Sequence, residues 1–139
     1  MLVQLDADGG ALRIERAPTS APTSAPGLVW ARCYLVPPAG RPARFLGAEA
    51  LDIIAGRLVA NMLDLDRPTT ATIDGQPARW VLSLAEAHHQ LMLSLDGAVR
   101  VLHWRDGGGR PVAPVLRVDE AQFRRWRQQL APLGRPRPR

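Results

Sequence analysis

The sequence predicts an α+β fold: an antiparallel sheet of about six to eight short strands, mostly a hairpin meander, with a middle helix and a C-terminal helix packed against one face. Three observations predict it. Aspartate-glycine turn signals recur through the second half of the chain, at Asp74-Gly75, Asp96-Gly97 and Asp106-Gly107. Apolar residues recur at helical spacing around positions 48 to 63, and again at Phe123, Trp126 and Leu130. Between these stretches the pattern alternates, as half-buried strands do.

Taken in order, Leu2 to Arg16 reads as two strands around Asp8-Gly9-Gly10. Residues 17–26 repeat APTS and close on proline, which excludes helix and central strand and makes them an extended surface loop within the same domain. Leu28 to Val36 is rich in β-branched and aromatic side chains and stops at Pro37-Pro38, as a buried strand would. After a Pro/Gly-rich loop through Gly47, Leu51, Ile54, Leu58 and Met62 form the stripe of a helix over 48–63. Strands follow near 69–73, 78–84, 89–95, 98–105 and 111–118, the last at a sheet edge because Pro111 and Pro114 cannot donate to a ladder. Asp119, with Gln122 three residues on, is a capping box that opens the final helix, which stops before Pro132. The organisation is thus one α+β domain over 1–134 and a basic Arg/Pro tail over 135–139.

Cys33 is the sole cysteine, so an intramolecular disulfide is excluded and a reducing compartment is expected. Asp6 and Asp8 interrupt the apolar run that a signal peptide needs, and no apolar run of about 18 residues could span a bilayer. The expected location is the cytoplasm. All eighteen basic residues are arginine, a bias that points to a GC-rich, bacterial genome. The net charge of +5 is concentrated at the end of the chain: from Asp119 onward six arginines meet two acids.

If Asp96 and Gly97 are the central residues of a type I′ turn, Leu95 faces Ala98, and the flanking strands divide into two faces. One collects Leu91, Leu93, Leu95, Leu102 and Trp104, to be covered by the helices. The other collects His88, Gln90, Met92, Ser94, Val99, Val101, His103 and Arg105, with His88 and His103 as diagonal neighbours and Glu86 just beyond. Glu86, His88 and His103 are a candidate metal or acid/base set, since zinc accepts imidazole and carboxylate, although no HExxH or paired CxxC spacing supports it and polar side chains on a solvated face explain it as well. No resident metal or other cofactor is therefore expected.

Cys33 lies in the most apolar strand and reads as a small buried hydrophobe. Asp64 and Asp66 lack the further ligands of a cation site, and the glycines at 107–109 form a hairpin turn, with no GxxxxGK[ST] sequence. No GxSxG, no GxGxxG and no Ser/His/Asp arrangement is present.

Two binding surfaces remain. His88, Gln90, Met92, His103 and Arg105 form an open sheet face suited to another protein, and an open sheet also offers an edge for self-association. Arg124, Arg125, Arg127, Arg135, Arg137 and Arg139 form a basic surface suited to nucleic acid, although Phe123 and Trp126 fall on the apolar stripe of their helix. Size and the lack of catalytic motifs favour the first: a non-catalytic protein-binding module of the adaptor, chaperone or toxin-neutralising kind. Nucleic-acid binding stands second and a small metal-dependent enzyme third, while no membrane partner is expected.

Overall fold

A computed structural model describes residues 2–18, 29–63 and 71–134. Most of the APTS repeat, Asp64, Asp66 and the tail arginines Arg135, Arg137 and Arg139 lie outside the described residues.

Two antiparallel sheets and two helices make up the α+β fold, with nine strands where six to eight were expected. The first sheet holds β1 (Val3–Ala7), β2 (Gly10–Arg16), β3 (Trp30–Val36) and β4 (Arg44–Ala50) in sequence order. After α1 (Leu51–Leu63), the second holds β5 (Ala71–Ile73), β6 (Gln76–Ser83), β7 (Gln90–Asp96), β8 (Val99–Arg105) and β9 (Pro111–Val118), again in order, and α2 (Glu120–Leu130) closes the chain.

β4 is the strand that the sequence reading placed partly in a loop and partly in the helix. Leu46 and Ala48 run into the apolar stripe of α1, so the alternation is hidden. Pairing with β3 from Trp30↔Ala50 to Leu35↔Arg44, and a φ of 136° at Gly47, fix the segment as strand and move the helix start to Leu51.

The turns follow their glycines. Asp74 and Gly75 both take positive φ (49° and 77°), so Ile73 faces Gln76 across a type I′ turn. At the β7–β8 hairpin only Gly97 is left-handed, at 60°. That suits a type II′ turn with glycine first, and the two central residues become Gly97 and Ala98. Asp96 therefore stays in the ladder opposite Val99, and His103 faces Met92 rather than Gln90. The slip moves both strands by one residue, so each residue keeps its expected face.

A continuous buried cluster draws on both sheets and both helices: Leu5, Leu12, Ile14 and Leu35 from the first sheet, Leu91, Leu102 and Trp104 from the second, and Ile54, Leu58, Phe123 and Trp126 from the helices. Among the described residues, backbone hydrogen bonds join the sheets at two places. Asp8 and Arg117 exchange backbone hydrogen bonds of 2.9 Å, joining the first hairpin to β9. On the other side Ala85 N–H donates to Ala48 C=O at 2.9 Å, joining the end of β6 to β4. α1 runs beside β4 and β6, and α2 lies against β1 and α1. α2 opens with the expected capping box: Asp119 accepts from Gln122 N–H at 2.8 Å, and the Gln122 side chain accepts from Asp119 N–H at 3.0 Å.

Candidate functional site

Glu86, His88 and His103 are not brought together. The strand stops before His88, because Ala87 and His88 take φ of 55° and 51°, and β7 begins only at Gln90. Glu86 and His88 are exposed in that turn, while His103 lies within the sheet opposite Met92. Among the described residues no group of three or more His, Cys, Asp or Glu could hold a metal ion.

His103 has another partner. Its Nε2 lies 2.8 Å from Ser94 Oγ, a diagonal pairing across β7 and β8. Burial lowers the His103 pKa, with the Asp74 carboxylate opposing and the Arg105 charge assisting. A serine hydrogen-bonded to a histidine is the elementary unit of nucleophilic catalysis. Here Ser94 is only 8% exposed, so its hydroxyl offers little surface to a substrate. The pair ties β7 to β8.

Of the five residues assigned to the protein-binding face, Gln90, Met92, His103 and Arg105 share the outer side of the second sheet, in the rows Gln90↔Arg105 and Met92↔His103. His88 is outside it, in the preceding turn. The face has an apolar floor: Met92, 1% exposed, packs with Ile73 and Ala78 in a small cluster separate from the main core.

Trp80 completes this surface. It pairs with Met92, extending the row to Trp80, Met92 and His103, and is 43% exposed. A bulge at Val81 explains its position. The extra residue lets Val81 and Leu82 both turn inward, at 2% and 3% exposure, and leaves Trp80 facing out.

Among the described residues, β5 pairs with Gln76 to Ala78 of β6. Beyond that point α1 runs alongside, with Asn61 donating through Nδ2 to Val81 C=O at 3.3 Å and Arg79 donating through Nη1 to Asn61 C=O at 2.9 Å. Between helix and strand lies an open groove of about 290 Å³, lined by Glu49, Ile53, Arg57, Trp80 and Ser83 among others. Ile53 is 40% exposed, and Glu49 and Arg57, four residues before and after it in the chain, also line the groove.

On α2, Phe123, Trp126 and Leu130 are buried, and Trp126 Nε1 donates to Asp6 C=O at 2.8 Å. Arg124, Arg125 and Arg127 are exposed. The aromatics that could have stacked on bases therefore face inward, leaving charge alone at the surface.

No family model, curated protein or solved structure matches the chain.

Proposed function

We propose that the chain is a non-catalytic protein-binding module that works through the outer face or an edge of its second sheet. The observation that carries the reading is Trp80. A tryptophan nearly half exposed, in one row with Met92 and His103, is the kind of anchor that dominates protein interfaces. A partner strand can extend a sheet at an edge, with backbone hydrogen bonds supplying affinity and side-chain pockets supplying selectivity. Gln90 and Arg105 supply the polar rim. A bacterial cytoplasm fits this reading, because the sole cysteine is buried and reduced. Adaptor, chaperone and toxin-neutralising roles all use surfaces of this kind.

The test is affinity capture by the full chain from host lysate, nuclease-treated and washed at raised salt. One stoichiometric protein, lost with Trp80→Ala while the thermal melt is unchanged, supports the module. Equal capture by Trp80→Ala removes the proposed surface.

A second reading is favoured by the three exposed arginines on α2. Arg124, Arg125 and Arg127, with Arg135, Arg137 and Arg139 beyond, would contact phosphates without reading sequence. It predicts salt-sensitive retention on a polyanion that truncation after Leu133 abolishes.

A further inference from the structure

We infer that the pocket between the β3–β4 loop and β9 takes a phosphorylated tyrosine side chain presented by another protein. The pocket shares no lining residue with the row of Trp80, Met92 and His103 or with α2.

It forms where proline interrupts two strands. β3 ends at Val36, ahead of Pro37 and Pro38, and the chain turns through Gly40, at a φ of 91°, and Pro42 before β4 begins at Arg44. In β9 both Val112 and Leu116 are paired, with Trp104 and Leu102, so residues 113–115 stand opposite His103 alone and bulge from the ladder. Pro114 lies in that bulge, where a residue without an N–H leaves no ladder bond unmade. Between these two irregular segments lies an open pocket of about 300 Å³, lined by Arg41, Arg44, Ala113 and the prolines at 37, 38, 42 and 114.

Its chemistry is one-sided. Proline and alanine side chains carry no polar atom, so the only side-chain hydrogen-bonding groups in the lining are two guanidiniums, which donate and never accept. Among the described residues neither Arg41 nor Arg44 has an ion pair or a side-chain hydrogen bond, whereas Arg13, Arg100 and Arg117 each meet a carboxylate. Two unclaimed cations in one small pocket match a group with two negative charges and several acceptor oxygens. A phosphate monoester near neutral pH carries a charge of about −1.5 to −2 and three such oxygens, and guanidinium forks suit its geometry. A single carboxylate would leave one arginine unmatched.

The walls then select what carries the phosphate. Proline rings and Ala113 offer apolar surface, so the stem has to be apolar as well. The ring of tyrosine meets that need, while phosphoserine brings one methylene and a nucleotide sets ribose hydroxyls against the prolines. The volume is at the small end for ligand pockets, the scale of one side chain and not of a large cofactor.

Isothermal titration calorimetry of the full-length chain tests this with four probes: a short peptide centred on phosphotyrosine, the same peptide unphosphorylated, inorganic phosphate and adenosine monophosphate. The phosphopeptide should bind one per chain, about tenfold or more tighter than each of the other three. Arg41→Gln and Arg44→Gln should each weaken it about tenfold or more, and because both arginines are exposed both variants should keep the wild-type thermal melt. Arg16→Gln, which removes an exposed arginine from the end of β2, should change the affinity by less than about twofold. No binding of the phosphopeptide, or equal loss in Arg16→Gln, would overturn the inference. Inorganic phosphate binding as tightly would show a bare anion site, and adenosine monophosphate binding as tightly a nucleotide site; either result overturns the phosphotyrosine assignment.

Discussion

Arg100, 2% exposed on β8, donates through Nη1 to Glu120 Oε2 at 2.9 Å and through Nε to the Met62 carbonyl at 2.8 Å. This one side chain joins the second sheet to the end of α1 and the start of α2. Helix α1 has no basic residue in its last turn, and its final carbonyls lack intrahelical donors. Arg100 supplies a cation and donor there from a different element, as Arg79 does at the Asn61 carbonyl, and the Arg100 guanidinium also stacks 3.8 Å from the Phe123 ring centroid.

The two ends of this pair should respond unequally to substitution. Arg100→Ala leaves the Met62 carbonyl without its buried donor and opens space over Phe123, and should cost about 2–4 kcal/mol. Glu120→Ala should cost no more than about 1 kcal/mol, because the carboxylate side is solvated and an exposed pair contributes little. Denaturant midpoints of the two variants check this. Equal losses would mean that the ion pair, and not the bond to Met62, dominates.

The same contact sets an acid dependence. The hydrogen bond from Arg100, then its charge, holds the Glu120 carboxyl below the ordinary glutamate value of 4.5. A depressed carboxylate adds stability that is complete above its unfolded value and is lost as the pH falls through the folded one. Asp106, lowered by backbone donors from Arg110 and Gly108, titrates in the same direction, so wild type alone cannot separate them. Stability of wild type minus that of Glu120→Gln should be largest near neutrality and shrink as the pH falls below 4.5. A difference independent of pH over that range would rule out the linkage.

Much of the fold was legible where a single residue type decides the backbone. Asp74-Gly75 specified its turn because both residues can be left-handed, and Asp119 with Gln122 specified the start of α2. β4 was not legible, because Leu46 and Ala48 extend the apolar pattern of the following helix; only pairing with β3, far back in the chain, reveals the strand. The joining of the two sheets rests on contacts more remote in sequence still, Asp8 with Arg117 and Ala48 with Ala85. Of the candidate site, face membership survived the register slip, since Gln90, Met92, His103 and Arg105 share a side. His88 was lost from it because Ala87 and His88 are left-handed without being glycine, which composition does not announce. The outward direction of Trp80 was not legible, because the bulge that follows it decides which way it faces.

Cys33 offers a test of the first sheet. It lies on β3 between Ile14 and Gly47 and is 0% exposed, and burial pushes its thiol up to about 12. The thiolate is the reactive form, so an aromatic disulfide reagent at pH near 8 should leave the native chain unmodified. Addition of denaturant should release one thiol per chain, at a rate that follows unfolding. Rapid stoichiometric reaction in native buffer would show that β3 is accessible.

The seam between β4 and β6 should depend on Gly47 more than on any property of its neighbours. Its φ of 136° is one that residues with a Cβ rarely adopt, and an added Cβ would lie 2.0 Å from the Glu86 carbonyl oxygen and 2.7 Å from Leu84 Cβ. Both obstacles are on the opposing strand end or its turn, held there by the bond from Ala85 N–H to Ala48 C=O, so relief requires the seam to open. Gly40 is the control: its φ is 91°, yet nothing lies within 4 Å of the position a Cβ would take. Gly40→Ala should therefore cost about 1 kcal/mol from backbone strain alone, whereas Gly47→Ala should cost about 3 kcal/mol or more. Denaturant midpoints give the two costs, and amide exchange at Ala85 reports the seam directly, protected in wild type and Gly40→Ala and fast in Gly47→Ala. If Gly47→Ala is no more costly than Gly40→Ala, or if Ala85 stays protected in it, the close approach of β4 to the Leu84–Glu86 turn does not hold the two sheets together.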